Sequence, residues 1–183
     1  MIHLVGRRSG NKLEVYDRGH ALAFVYAIGT DAWGNHDGQG DPPWGHDCWM
    51  PVGHYVLGPV EFFSTPIAAE GFGQIPINDF SANDISQLAN AGRATFTGMS
   101  ANIGGIDAPF GQLTEYNRSA MFVHGGGTNS PDPLADNQGL YRTLGCTRML
   151  NADWKAFATW LDPQSSANIV VYTALETPAD LGG

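Results

Sequence analysis

Two side chains in this sequence can form a nucleophile and its base. Cys146 stands in Thr143-Leu144-Gly145-Cys146-Thr147-Arg148, directly ahead of a segment patterned as a helix. A thiol has an ordinary pKa of about 8.5 and attacks as the thiolate, so catalysis needs a cation or a base beside it. Arg148, two positions on, brings positive charge. Gly145 lets a substrate approach the main chain, whose N–H groups can hold an oxyanion. His124 follows a short apolar run and opens the triplet Gly125-Gly126-Gly127, a placement that presents an imidazole from a rigid strand end. Taken singly, each residue has a plainer explanation that weighs more: a small buried hydrophobe for Cys146, and a core histidine bonded to a carbonyl for His124. Taken together, a cysteine and a histidine far apart in the chain have the makings of a Cys–His nucleophilic site.

A rival constellation is His46-Asp47-Cys48 with His54 nearby, which offers two nitrogens, a sulfur and a carboxylate to a metal. No second cluster at ligand spacing supports it, so no metal is expected. Trp33, Trp44 and Trp49 share that region and read as core or lid packing before a sugar platform, and Asp31, Asp37, Asp41 and Asp47 as a solvated loop face. The two cysteines are 98 positions apart (146 − 48) with no CxxC pair, which leaves both a disulfide and the redox compartment open.

The elements that must position the pair come next. With 24 Gly and 11 Pro in 183 residues, the chain is rich in turns and favours strands over a helical bundle. Lys12 to Tyr16, the turn Asp17-Arg18-Gly19 and the apolar Ala21 to Ile28 predict a β-hairpin. Gly29 to Gly45 reads as a loop, and His54 to Phe63 as a strand with a bulge or bend at Gly58-Pro59. Ser81 to Ala91 reads as a short helix capped by Ser81, with Ile85 and Leu88 on one face. Ala120 to Val123 is a strand that ends at His124, followed by a long loop from Gly125 to Tyr141. Asn151 is expected to cap the clearest helix, whose Trp154, Phe157, Ala158 and Leu161 fall on one face and which Pro163 should end. Asn168 to Thr173 is the last strand, and the tail after Glu176 is expected to be loose. Together these elements predict one mainly-β domain over residues 1–183 with one or two short helices.

The charge balance narrows the function. Nine Lys+Arg against 18 Asp+Glu give a formal charge of -9 with no basic run, which sets aside nucleic acid and anionic lipid surfaces. The longest apolar run, Ala21 to Ile28, is too short to cross a bilayer, so no membrane span is expected. No apolar stretch follows Arg7-Arg8, so Met1 to Arg18 reads as lacking a secretory signal and the delivery route is left open.

Three segments, in order, resemble the L,D-transpeptidase catalytic domain of bacterial cell-wall enzymes. Met50-Pro51-Val52-Gly53-His54-Tyr55-Val56-Leu57 is similar to that family's Thr-Pro-x-Gly-x-Phe-x-Ile stretch. Phe122-Val123-His124-Gly125 is similar to its strand ending in His-Gly, and Thr143 to Met149 to its Ser-His-Gly-Cys-x-Arg segment. With the opening hairpin the likeness covers about residues 11–173 and implies a β-sandwich-like catalytic domain. The sequence departs from the family where Leu144 replaces a frequent histidine and Met50 a threonine. The separation of 22 from His124 to Cys146 (146 − 124) is also longer than usual. The extra residues, Thr128 to Gln138, are expected to form a lid or to alter the acceptor side of the pocket.

The resemblance implies these roles. Cys146 attacks the carbonyl that follows the L-centre of the third residue of a peptidoglycan stem and releases the terminal D-residue. His124 moves the proton, and the Gly125 carbonyl holds its tautomer. N–H groups of Leu144, Gly145 and Cys146, in the segment opened by Thr143, form the oxyanion hole, and Arg148 orients the loop or binds a substrate carboxylate. The thioester passes to an amine or to water, with no metal or organic cofactor. The partners implied are stem peptides of the periplasm or cell wall, with an immunity or delivery protein if the chain is an antibacterial effector rather than phage-borne. The competing readings are a non-catalytic peptidoglycan-binding module and a cysteine amidase that cuts another stem bond.

Overall fold

The computed structural model describes residues 1–7, 10–29, 50–88, 108–114, 119–141, 143, 145–165 and 169–175. Among them are nine strands and two helices, so the expectation of a mainly-β chain holds. The strands are β1 (Ile2–Arg7), β2 (Lys12–Tyr16), β3 (Leu22–Gly29), β4 (Gly53–Leu57), β5 (Glu61–Ile67), β6 (Gly71–Asn78), β7 (Phe122–His124), β8 (Thr147–Met149) and β9 (Val170–Leu175). The helices are α1 (Ala82–Gln87) and α2 (Asn151–Ser165).

The order across the sheet is β4-β9-β1-β2-β3-β8-β7-β6-β5, and β4 also pairs with β6. That extra pairing, Val56 opposite Asn78 and Leu57 opposite Ile77, joins the two ends of the run and leaves β5 outside. Side chains alternate across each strand, so one set fills the enclosed space. Ile2 and Leu4 of β1, Leu13 and Val15 of β2, Ile75 of β6 and Met149 of β8 all lie in one buried cluster. Each fully buried side chain of this size contributes on the order of 2 kcal/mol.

The predicted hairpin forms as β2 and β3. Its turn is closed by Asp17, whose carboxylate accepts from the N–H groups of Gly19 at 2.8 Å and Ala21 at 3.1 Å. Ser81 caps α1 through a reciprocal box with Asp84. Only half of the expected apolar face is realised there, because Leu88 is buried while Ile85 is 43% exposed.

Three expectations need correction. His54 to Phe63 is two strands, not one. Pro59 has no N–H to give a ladder, and Gly58 N–H instead donates to the Pro76 carbonyl at 2.8 Å as the chain leaves β4. Asn151 does not cap α2; it is the first helical residue, and the Leu150 carbonyl takes the first bond from Trp154 N–H at 2.8 Å. Pro163 lies inside the last turn and the helix runs on to Ser165, since a proline there deletes one bond near a frayed end. The buried face is as expected: Trp154, Phe157, Ala158 and Leu161 are all inaccessible to solvent. The last strand is shifted from the expected span to Val170–Leu175, where it pairs in parallel with β1. Strands β1, β6 and β8 have no counterpart among the elements expected from the sequence. The loop expected over Gly29 to Gly45 lies, beyond Gly29, outside the described residues, as does the tail after Glu176.

On the side of β4, β9 and β1 away from the main core lies a buried polar group. His3 Nε2 and His54 Nδ1 each bond Thr173 Oγ1 at 2.6 Å. The two rings are 6.1 Å apart, and burial pulls the His3 pKa down to about 3.

Candidate active site

Two short parallel strands position the pair. β7 and β8 match Val123 with Thr147 and His124 with Arg148. Val123, Thr147 and Met149 face the buried core, so the alternating residues His124 and Arg148 take the other face. Cys146 immediately precedes β8, two residues before Arg148, which is the register partner of His124. Trp154 Nε1–H fastens the start of α2 to the Val123 carbonyl at 3.1 Å, one residue before the histidine.

His124 is 5% exposed, and its Nδ1 lies 2.5 Å from the Gly125 carbonyl oxygen. A carbonyl only accepts, so Nδ1 carries the ring proton and Nε2 is the basic nitrogen of the neutral ring. Burial pushes the His124 pKa down to about 4; the bond to Gly125 opposes that shift and the Arg148 charge adds to it. The ring is neutral at pH 7, the form a general base requires.

Cys146 Sγ donates to the Ala120 carbonyl at 3.6 Å, from a partly exposed position. The turn before it is shaped by Thr143, whose Oγ1 donates to the Cys146 carbonyl at 2.8 Å and accepts from Gly145 N–H at 2.9 Å. Gly145 has φ +110°, a conformation that side chains rarely adopt. Leu144, expected to share the oxyanion hole, lies outside the described residues, as do Cys48, His46, Asp47 and the three tryptophans of the rival cluster. His54, the remaining member of that cluster, bonds Thr173. Among the described residues no group of three or more His, Cys, Asp or Glu side chains could hold a metal.

Arg148 is 5% exposed and its Nη1 donates to Asn129 Oδ1 at 3.0 Å and to the Tyr141 carbonyl at 2.9 Å. Burial lowers its pKa, and the charge on Cys146 opposes that. From the core side, Tyr172 bonds Thr147 Oγ1 at 2.7 Å. Its pKa is pushed up to about 12, chiefly by burial and further by the Cys146 charge. A thiol beside a cation and a neutral, tautomer-locked imidazole can perform acyl transfer through a thioester.

The comparisons with known proteins bear on the family and the fold. The model of the YkuD family, the L,D-transpeptidase catalytic domain, matches residues 3–171. The chain belongs to the YkuD family. Among solved structures it is similar to the helical cell shape determining protein Pgp2 from Campylobacter jejuni, at 15% identity and a TM-score of 0.50. That match covers 96% of this chain and 48% of Pgp2, so the chain spans about half the length of that relative. A lysine-to-alanine variant of Pgp2 matches at 15% identity and a TM-score of 0.48, covering 96% of this chain and 47% of that one. No curated protein matches. The Pgp2 likeness speaks for the fold alone.

Reading the sequence misses three residues that bond the segments carrying the candidate pair. Tyr172 reads as an ordinary strand residue, Gln138 falls in a loop expected to be a lid, and Asn151 looks like a helix cap. Each acts through a partner at least 11 positions away, which no local pattern announces.

Proposed function

We propose that this YkuD domain is a peptidoglycan-directed L,D-transpeptidase with L,D-carboxypeptidase capacity, acting on tetrapeptide stems through a Cys146 thioester. The observation that carries the reading is the neutral His124, proton locked on Nδ1, paired in register with Arg148 of the short strand that Cys146 precedes. His124 Nε2 takes the thiol proton as sulfur attacks the carbonyl after the L-centre of the third stem residue. Gly145 N–H, expected in the oxyanion hole, is taken by Thr143 Oγ1, so the tetrahedral oxyanion falls to other main-chain N–H groups of that turn. Collapse breaks the peptide bond, and His124 returns the proton to the departing D-residue amine. An incoming amine then gives a cross-link or an exchange, and water gives hydrolysis. Arg148, buried and bonded to Asn129 and Tyr141, favours the thiolate and orients the loop rather than reaching for a substrate carboxylate. Such a substrate sets the place of action in the periplasm or wall.

The test is intact-protein mass spectrometry after incubation with a carbapenem, on wild type and Cys146→Ala, with product masses from stem tetrapeptides. An adduct on wild type alone, with loss of one terminal D-residue from the peptide, is the expected result. Peptide released from its sugar would mean an amidase. A folded wild type that forms no adduct and no product, yet binds peptidoglycan, would overturn catalysis and leave a binding module.

A further inference from the structure

The His124 ring is held by a carbonyl, and that carbonyl is itself held. The Gly125 C=O and the Gly126 N–H belong to one planar peptide unit and point in opposite directions across it. On one side the unit accepts from His124 Nδ1 at 2.5 Å; on the other it donates to Asn151 Oδ1 at 2.8 Å. Turning this peptide plane would break both bonds together.

Asn151 is inaccessible to solvent and its amide is fully used. Nδ2 donates to the carbonyls of Pro133 at 3.0 Å and Ala135 at 2.7 Å, which fixes Oδ1 as the atom facing Gly126. Behind it stands Gln138, 4% exposed. Gln138 Oε1 accepts from Asn151 N–H at 2.8 Å, while Nε2 donates to the Met149 carbonyl at 2.8 Å and the Gly126 carbonyl at 3.3 Å. Two side chains therefore grip both main-chain groups of Gly126. The space is filled to contact: a Cβ on Gly125 would come within 2.2 Å of Asn151 Oδ1. The loop from Thr128 to Gln138 is tied down by the same set, with Ser130 Oγ donating to the Gln138 carbonyl at 2.6 Å and Lys155 paired with Asp136.

We infer that Asn151, supported by Gln138, is a positioning residue that selects the His124 tautomer through the Gly125–Gly126 peptide. The inference rests on His124 being the base of the proposed function. The long loop then serves the site as the source of the Gln138 support. Removing the Asn151 acceptor leaves a buried N–H without its partner and lets the peptide rotate, so the imidazole can carry its proton on Nε2, where it no longer acts as a base toward the thiol.

The experiment uses ¹⁵N NMR of the His124 ring and the rate at which iodoacetamide alkylates Cys146, in wild type, Asn151→Ala, Asn151→Asp and Gln138→Ala. Wild type should show one Nδ1–H tautomer. Asn151→Ala should show a mixture and alkylate roughly 10- to 100-fold more slowly. Asn151→Asp keeps an acceptor for Gly126 N–H but sets a carboxylate oxygen against the Pro133 and Ala135 carbonyls, so it should recover only part of the tautomer population and the rate. Should Asn151→Ala not fold, Gln138→Ala carries the test, with a smaller shift in the same direction. A folded Asn151→Ala or Gln138→Ala with the wild-type tautomer and rate would overturn the inference. Neither readout uses a wall substrate, so a failure of the transpeptidase reading would appear separately, as absent turnover with the tautomer shift intact.

Discussion

The Nδ1–H of His124 donates to the carbonyl oxygen of Gly125, the residue that follows it, at 2.5 Å. The contact is local in sequence, yet it depends on a strand register and a helix start that are not.

The first consequence concerns pH. The folded pKa of His124 is about 4, below its ordinary 6.5, so the neutral base persists as pH falls until about 4. The acid limb of kcat/KM for acylation by a carbapenem should therefore fall through about pH 4. A limb centred at 6.5 would show that the ring is solvated rather than buried.

Arg148 acts on both members of the pair. Its charge lowers the His124 pKa, and the charge on Cys146 raises that of Arg148. In Arg148→Met the alkylation of Cys146 at pH 7 should slow by about 10-fold or more, since a neighbouring cation favours the thiolate. The His124 limb should move upward but stay below 6.5, because burial is the larger cause. Unchanged rates would remove Arg148 from the site.

Gly126 has φ +62°, and a Cβ there would lie 2.3 Å from the Gly71 nitrogen and 2.8 Å from the Ala68 carbonyl oxygen. Both neighbours are main chain and cannot swing aside. Gly126→Ala should lose at least about 2 kcal/mol, a fall of about 5 °C or more in Tm by calorimetry. A Tm within 1 or 2 °C of wild type (about the error of a scan) would mean that this turn relaxes freely.

His3 predicts an acid-sensitive fold. Its pKa is about 3 folded against 6.5 unfolded, so between those values the unfolded chain binds a proton that the folded chain refuses. The associated stability is complete above pH 6.5 and is lost as pH falls toward 3. The urea midpoint should drop over that range, and His3→Gln should drop less steeply, whatever its stability at pH 7. An identical slope in the variant would assign the acid sensitivity to other groups.

Several elements are legible in the sequence because their signals are local. The Asp17 turn, the Ser81 cap and the α2 face need only a few neighbouring residues, and all three form. The Cys146 and His124 segments are readable as a pair because their flanking residues resemble the YkuD family. Strand β6, Gly71–Asn78, is hidden because glycine and proline disfavour strands. It forms because its neighbours β4, β5 and β7 supply partners on both edges.

The sequence by itself determined the mainly-β character and the periodic faces, since each follows from residue type and spacing along the chain, and its resemblance to the YkuD family singled out Cys146 and His124 as the candidate pair. Tertiary structure decided which faces meet and what each polar group bonds to. Asn151 shows the difference. Its type suggests a cap, but the neighbouring main chain of Gly126 and the loop carbonyls of Pro133 and Ala135 claim its amide instead. Hydrogen bonds are short and directional, so a side chain's role is set by whichever partners the fold brings within about 3 Å, and that is a property of register and packing.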